Sequence, residues 1–337
     1  MYNNRLIFKT STEDEVYYLK DTIFIKFNTK RNCISNSVLN GGIQNDLKHV
    51  FNHHLSQENI NYLENHDLCD YLTNLCDDLN FDSKKSSGLV TLALMKNLSI
   101  VTKEFKQLKV TALTTAGVRV NATCAGDEAA YWEENGQFRP GTINTILLIN
   151  SKLNDNVLAE AFMVASEAKT VALNNLKISS QFSNNFATGT GTDGLIVASN
   201  LNSDNLMTNA GKHSKLGELI AKCVIESIHV AIKKQVWITP NSQSDVLVLL
   251  NRYKLDINQF YDGLNQNKHD FICRLKSDSK IPENIAITSS ILNLMDDVNR
   301  QMLDKKTAYD LSVRLTENCT GNEVKCLLLF WIKKFLY

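Results

Sequence analysis

Proline is almost missing from this sequence: Pro140, Pro240 and Pro282 are the only three in 337 residues. A chain so poor in proline holds no polyproline segment or Pro-rich linker, and it shows no repeat or low-complexity block. Charge of one sign is missing too. Thirty-six basic residues stand against 36 acidic ones, which leaves no global field to draw in a polyanion and no expectation of a nucleic-acid partner. The eight cysteines, at 33, 69, 76, 124, 223, 273, 319 and 326, form no CxxC and no zinc-ligand pattern with histidine, so they read as reduced, mostly buried thiols. No apolar run approaches the roughly 18 residues of a membrane span, and the amino-terminal stretch carries acidic residues where a signal peptide needs an apolar one. A cytoplasmic protein without a membrane partner is expected.

What is present is the material for a large core. Hydrophobic residues make up 43% of the chain against 21% charged, which excludes disorder and a small stapled fold. Two stretches, 110–118 and 143–149, are β-branched, short and punctuated by glycine, and read as strands of a buried sheet; 195–198 gives a third. Weaker strands are expected at 6–8, 22–27 and 34–39. Apolar residues recur at helical spacing through Leu158, Ala161, Phe162, Ala165 and Ala172, predicting a helix over 154–176, and through Leu216, Leu219, Ile220, Cys223 and Ala231, predicting another over 212–237. This alternation predicts an α/β fold, with α+β as its variant: a layered mixed β-sheet flanked by helices. The turn cluster Thr239-Pro240-Asn241-Ser242 marks the boundary of a 1–239 domain. Beyond it, helical periodicities at 246–250, 257–264, 285–295 and 323–336 make 240–337 a C-terminal α-helical extension. Its apolar run at 327–332 would cover the first domain or pair two chains, so a homo-oligomer stays open.

The loudest motif is Ala187-Thr188-Gly189-Thr190-Gly191-Thr192-Asp193-Gly194, which formally satisfies GxGxxG. A dinucleotide site needs that loop to open a helix, whose free N–H groups receive the pyrophosphate; here a strand follows. The glycines instead let a threonine-lined backbone approach a ligand, with Asp193 at the mouth of the strand, or they form a plain turn capped by Thr and Asp. Other candidates are Asn121 at the end of a strand, Asn144 at the start of another, and Glu160 and Glu167, seven apart on one helix face, where a solvated edge is the blander reading. Lys212-His213-Ser214-Lys215 places a titratable imidazole and two cations at a helix start. His49 and His53 stand at i, i+4, a metal-ligand spacing with no carboxylate to complete an HExxH set. No GxSxG elbow is present, and Cys124 lacks a neighbouring histidine to activate it.

Taken in order and spacing, Ile34-Ser35-Asn36-Ser37-Val38-Leu39-Asn40-Gly41-Gly42, Thr114-Thr115-Ala116-Gly117 with Asn121-Ala122, Gly141-Thr142-Ile143-Asn144-Thr145, Glu167-Ala168-Lys169-Thr170, the Thr188 to Asp193 loop and Lys212-His213-Ser214-Lys215-Leu216-Gly217 resemble the adenosylcobinamide amidohydrolases. The resemblance covers roughly 20–237. It implies an enzyme of corrinoid salvage that hydrolyses the amide between the corrin's propionyl side chain and aminopropanol, releasing cobyric acid for cobamide (vitamin B12) synthesis. The cobalt then arrives inside the substrate, and no protein-bound cofactor or metal is expected. Asp193 is the expected general base or water-positioning carboxylate, with Glu167 as alternative and His213 as the acid for the leaving amine. Lys169, Asn121, Asn144, Asn40, Gly41, Gly189, Thr190, Gly191 and Thr192 are the expected substrate-binding set, and Thr190 or Thr192 becomes a nucleophile if a base lies in reach. Tyr131 and Trp132 would offer a stacking surface for the corrin, or core. An amidase or esterase of another metal chelate, and a non-catalytic corrinoid-binding protein, are the alternatives.

Overall fold

A computed structural model describes residues 5–129, 142–263 and 268–337, in two compact units. The first runs to Ile238 apart from Ser183–Asn185; the second holds those three residues and Thr239–Tyr337.

Two mixed sheets build the first unit. Strands β1 (Arg5–Lys9), β2 (Glu15–Leu19), β3 (Thr22–Lys26), β6 (His49–His54) and β7 (Ser86–Thr91) form one in that order. Strands β4 (Arg31–Ser35), β5 (Gly42–Gln44), β8 (Ser99–Phe105), β9 (Leu108–Ala116), β11 (Ile143–Ile149) and β14 (Gly194–Asn200) form the other, in the order β5-β4-β14-β11-β9-β8. Each sheet has one parallel pair, β6 with β7 and β11 with β14; the remaining pairs are antiparallel. Parallel neighbours need a long crossover. Helices α1 (Gln57–Leu63) and α2 (Leu68–Asp78) supply it for β6 and β7, and α3 (Asp155–Asn175) for β11 and β14. Helix α4 (Lys215–Val236) closes the unit. Two short ladders complete it: β10 (Ala122–Thr123) with β13 (Gly189–Thr190), and β12 (Lys152–Leu153) with β15 (Leu206–Met207).

The strict period of two along each strand sorts side chains into separate layers. Leu113, Ile146, Leu148, Ile196 and Ala198 pack with Ile23, Ile25, Val50 and Leu89 between the sheets. Their neighbours Val110, Ala112, Ile143, Leu147 and Val197 pack on the other face with Ala161, Ala165, Ala172, Ile220 and Ala231 of α3 and α4. Phe24 and Phe51 turn outward to Leu72 and Cys76 of α2. The α/β architecture is therefore as expected, but with two stacked sheets where one was anticipated.

Several elements differ from the sequence reading. The strand expected at 34–39 ends at Ser35, and the following residues form the loop into β5. Helix α4 begins at Lys215 because the Ser214 hydroxyl accepts from the Gly217 N–H at 3.0 Å, which leaves Lys212 and His213 in the turn before the cap. Strands β2, β6, β7 and β8 went unforeseen. In β6 the reason is plain: His49-Val50-Phe51-Asn52-His53-His54 looks polar, yet Asn52 and His53 are buried with their polar atoms bonded.

The second unit is helical: α5 (Pro240–Gln243), α6 (Val246–Leu250), α7 (Ile257–Asp262), α8 (Lys268–Asp278), α9 (Pro282–Asn299), α10 (Lys305–Thr316) and α11 (Asn322–Leu336). Leu327, Leu328, Trp331 and Ile332 of the apolar run are buried with Leu250, Phe271, Leu275 and Ile291, so the run serves this unit's own core. Among the described residues no helix is long and apolar enough to cross a membrane.

Candidate functional site

The glycine-threonine loop passes through β13 into β14, as the rejection of a dinucleotide site requires. Its centre is Asp193. The carboxylate Oδ2 forms an ion pair with Lys169 of α3, both side chains being largely buried at 13% and 18% exposure. The Thr190 hydroxyl donates to Oδ1 at 2.5 Å, and the Thr190 N–H donates to both oxygens at 3.1 Å. A cation, a hydroxyl and an amide thus converge on one carboxylate. Charge-assisted bonds of this kind are shorter and stronger than neutral ones.

Gly189 makes the pair geometrically feasible. A Cβ there would fall well inside van der Waals contact of Asp193 Oδ2 and 3.0 Å from Lys169 Nζ. Its φ is not in the left-handed region, so the requirement is for space. The loop is tied to α3 again where the Thr170 hydroxyl donates to the Thr188 carbonyl at 3.2 Å. Gly191 differs: among the described residues nothing lies within 4 Å of the place its Cβ would take, and it is exposed.

Beneath the loop runs a buried chain of amides. Asn144 Oδ1 accepts from the Gly194 N–H at 3.0 Å, and Asn144 Nδ2 donates to Asn52 Oδ1 at 2.8 Å and to the Val90 carbonyl at 2.9 Å. Asn52 Nδ2 in turn donates to the Thr115 hydroxyl at 2.8 Å. Asn52, Thr115 and Asn144 are at most 3% exposed. Asn144 therefore holds the Asp193 loop from below, its amide fully engaged. Asn36, at the end of β4, grips the same backbone from the side: Nδ2 donates to the Asp193 carbonyl at 2.7 Å, and Oδ1 accepts from the Leu195 N–H at 2.8 Å. Asn36 lay inside a quoted motif without being assigned a role, and Asn52 had no signal beyond its histidine neighbours.

Of the expected residues, Lys169, Gly189, Thr190, Gly191 and Asp193 come together, and half-buried Thr192 lies in the same loop. Asn121 adjoins them: its carbonyl accepts from the Gly191 N–H at 3.2 Å, and its Oδ1 accepts from the Thr142 hydroxyl at 2.8 Å. Glu167 and His213 stand apart. Glu167 is exposed and paired with Lys212 at 2.8 Å, and exposed His213 has no hydrogen bond or ion pair with Asp193 or Lys169. Asn40 donates to the Ser83 and Ser86 carbonyls at 2.6 and 2.7 Å, and with Gly41 it shapes the loop ahead of β5. Glu160 Oε2 accepts from the Ala210 N–H at 3.0 Å. Tyr131 and Trp132 lie outside the described residues.

The i, i+4 metal spacing assumed a helix. On strand β6, His49 and His53 are separated by roughly 13 Å at about 3.3 Å per residue. His49 stacks on Phe81, and His53 is bonded to the Thr22 and Tyr71 hydroxyls. Among the described residues no three His, Cys, Asp or Glu side chains are grouped to hold a metal ion. Burial, and then the charge of Asp127, push the Cys124 thiol up from its ordinary value, the wrong direction for a thiolate nucleophile.

A family model described as adenosylcobinamide amidohydrolase matches residues 7–240, a span that takes in the whole Asp193 cluster and its supports. An uncharacterized protein of Methanocaldococcus jannaschii is 34% identical over 228 residues, covering 64% of this chain and 86% of that one. A Methanosarcina mazei protein named adenosylcobinamide amidohydrolase is 31% identical over 156 residues, 44% of this chain and 66% of its own length. Among solved structures, a Pyrococcus horikoshii protein aligns over 68% of this chain and 82% of its own at 14% identity and a TM-score of 0.31, a distance from which no shared architecture follows.

Proposed function

Because the chain belongs to the adenosylcobinamide amidohydrolase family, we propose that it hydrolyses the amide joining aminopropanol to the corrin's propionyl side chain in adenosylcobinamide, giving adenosylcobyric acid. The observation that carries the reading is the Asp193 carboxylate, held between Lys169 and Thr190 beside the open side of Gly191. Hydrolysis of an unactivated amide needs a base for the attacking oxygen, a donor for the carbonyl as it becomes an oxyanion, and a proton for the departing amine. Asp193 is the base, and Lys169 fixes its orientation. The Asn121 amide nitrogen, which has no hydrogen-bond partner among the described residues, is the donor for the carbonyl oxygen. Asp193, once protonated, returns the proton to the aminopropanol nitrogen. Glu167 and His213 lie outside this scheme because neither is bonded to the cluster.

The test incubates the protein with adenosylcobinamide and follows the corrinoid by mass spectrometry for loss of aminopropanol. Conversion is expected, and Asp193→Asn is expected to lower it by about 10²- to 10⁴-fold, the usual worth of a positioned acid-base group. Tight binding without product, by parent and variant alike, would turn the reading to a corrinoid-binding protein. Neither binding nor product would turn it to another amide-bearing chelate.

A further inference from the structure

We propose that the oxygen attacking the amide is Thr190 Oγ1, so that the reaction passes through an acyl ester on this threonine; the inference rests on the reading of the loop as an amide-hydrolysing site. A hydroxyl nucleophile is recognised by a base within hydrogen-bond reach and a third group that orients the base. Thr190, Asp193 and Lys169 stand in that relation. The hydroxyl whose proton must leave already donates to the carboxylate at 2.5 Å, and the carboxylate is already paired with the lysine.

The competing attacker, a water activated directly by Asp193, has to displace a partner. Oδ2 is taken by Lys169 and the Thr190 N–H, and Oδ1 by the Thr190 hydroxyl and the same N–H. The threonine needs no such exchange. Its backbone is fixed as well, paired with Ala122 across the short β10–β13 ladder. Thr190 itself is only 7% exposed, so a substrate carbonyl must come in over the next residue. That residue is Gly191, with open space where a side chain would stand among the described residues. Asn121 adjoins this opening, its carbonyl accepting from the Gly191 N–H, and its side-chain amide is assigned as the oxyanion donor.

The step balances without a co-reactant other than water. Thr190 Oγ1 bonds to the amide carbon while its proton passes to Asp193, giving a tetrahedral oxyanion. The carbon–nitrogen bond then breaks, the Asp193 proton goes to the nitrogen, and aminopropanol leaves. Water attacks the ester carbon and gives its proton to Asp193. The carbon–oxygen bond to Thr190 breaks, and the proton returns to Oγ1 as the corrinoid acid departs.

Two reagents test this on the full chain. p-Nitrophenyl acetate is expected to leave an acetyl group on the peptide containing Thr190, and Asp193→Asn is expected to abolish it. Acid-quenched turnover of adenosylcobinamide is expected to leave the corrinoid acyl group on the same peptide. Thr190→Val keeps the side chain's shape and is expected to lose turnover by at least about a hundredfold, with Thr190→Ser retaining part of it. Turnover by Thr190→Val above a tenth of the parent's overturns the nucleophile and leaves the amidohydrolase reading standing. Loss of turnover in Thr190→Val with no acyl group found by either reagent also overturns it, reducing Thr190 to a brace for Asp193. Acetyl on Thr190 in a protein that leaves adenosylcobinamide intact upholds the nucleophile and removes the substrate reading.

Discussion

Replacing Gly189 by alanine separates the site from the fold more cleanly than any change to a charged group. The added methyl group has no backbone strain to relieve, because Gly189 is not in a left-handed conformation. It stands instead inside contact distance of Asp193 Oδ2 and 3.0 Å from Lys169 Nζ. To reach ordinary van der Waals contact the carboxylate must retreat by on the order of 1 Å, and a misplacement of that size can cost about 100-fold in rate. The same retreat stretches the ion pair and the three bonds from Thr190, and a bond to a charged group is worth about 1.5–3 kcal/mol. Against this, alanine restricts the unfolded chain and returns about 0.4–1 kcal/mol. The net expectation is a destabilisation of about 1–2 kcal/mol, a few degrees in Tm, together with a loss of about two orders of magnitude in turnover. Thermal unfolding and the adenosylcobinamide assay on the same preparation read both quantities. Turnover within about threefold of the parent, less than 1 kcal/mol by the rate relation, would refute the idea that catalysis depends on where this carboxylate sits.

Further expectations follow from other parts of the molecule. Gly191→Ala should leave Tm unchanged and raise KM, since its methyl enters space that only a substrate would occupy; an unchanged KM counts against approach over Gly191. Asn52→Leu strips Asn144 and Thr115 of a buried partner and should cost about 2–4 kcal/mol while lowering kcat more than it raises KM; unchanged chemical unfolding would dismiss the amide chain as a support. Burial holds both His49 and His53 down at about 4, helped by Lys26 and Lys48 for the first and by His54 for the second. Above the ordinary histidine value of 6.5 both states are neutral. Between 6.5 and about 4 only the unfolded chain takes up protons, so stability is lost as pH falls, by about 3 kcal/mol for the well-buried His53 and by less for His49, whose greater exposure to solvent screens the effect. Urea midpoints that stay level from pH 7 to 5 would contradict this. Glu167→Gln and His213→Ala should turn over close to the parent rate, and a collapse in either would bring that residue back into the proton path.

The sequence by itself determined the apolar elements and the glycine-threonine loop. Ile143–Ile149 is legible because its five isoleucine and leucine residues crowd a short, β-branched run bounded by turns, with no helical stripe to belong to, and Asp155–Asn175 because its alanines recur on one face. The GxGxxG look-alike was separable from a nucleotide loop because the residues after it, Leu195 to Ala198, are a strand and not a helix. What sequence could not fix was which polar residues meet. Asn52 and Asn144 are 92 positions apart and lie on different sheets; only the stacking of those sheets turns them into one support. Strand β6 hid because its histidines and asparagine carry the signature of a surface segment, while their hydroxyl partners come from β3, α2 and β9 and their amide partner from β11. Glu167 and Lys169 are two residues apart on one helix, and the roughly 100° turn per residue sends one to solvent and the other to Asp193. Residue type and motif order were thus written in the chain, whereas the choice of Lys169 over Glu167, and of Thr190 as the neighbour of the carboxylate, was made by packing over distances that no local pattern encodes.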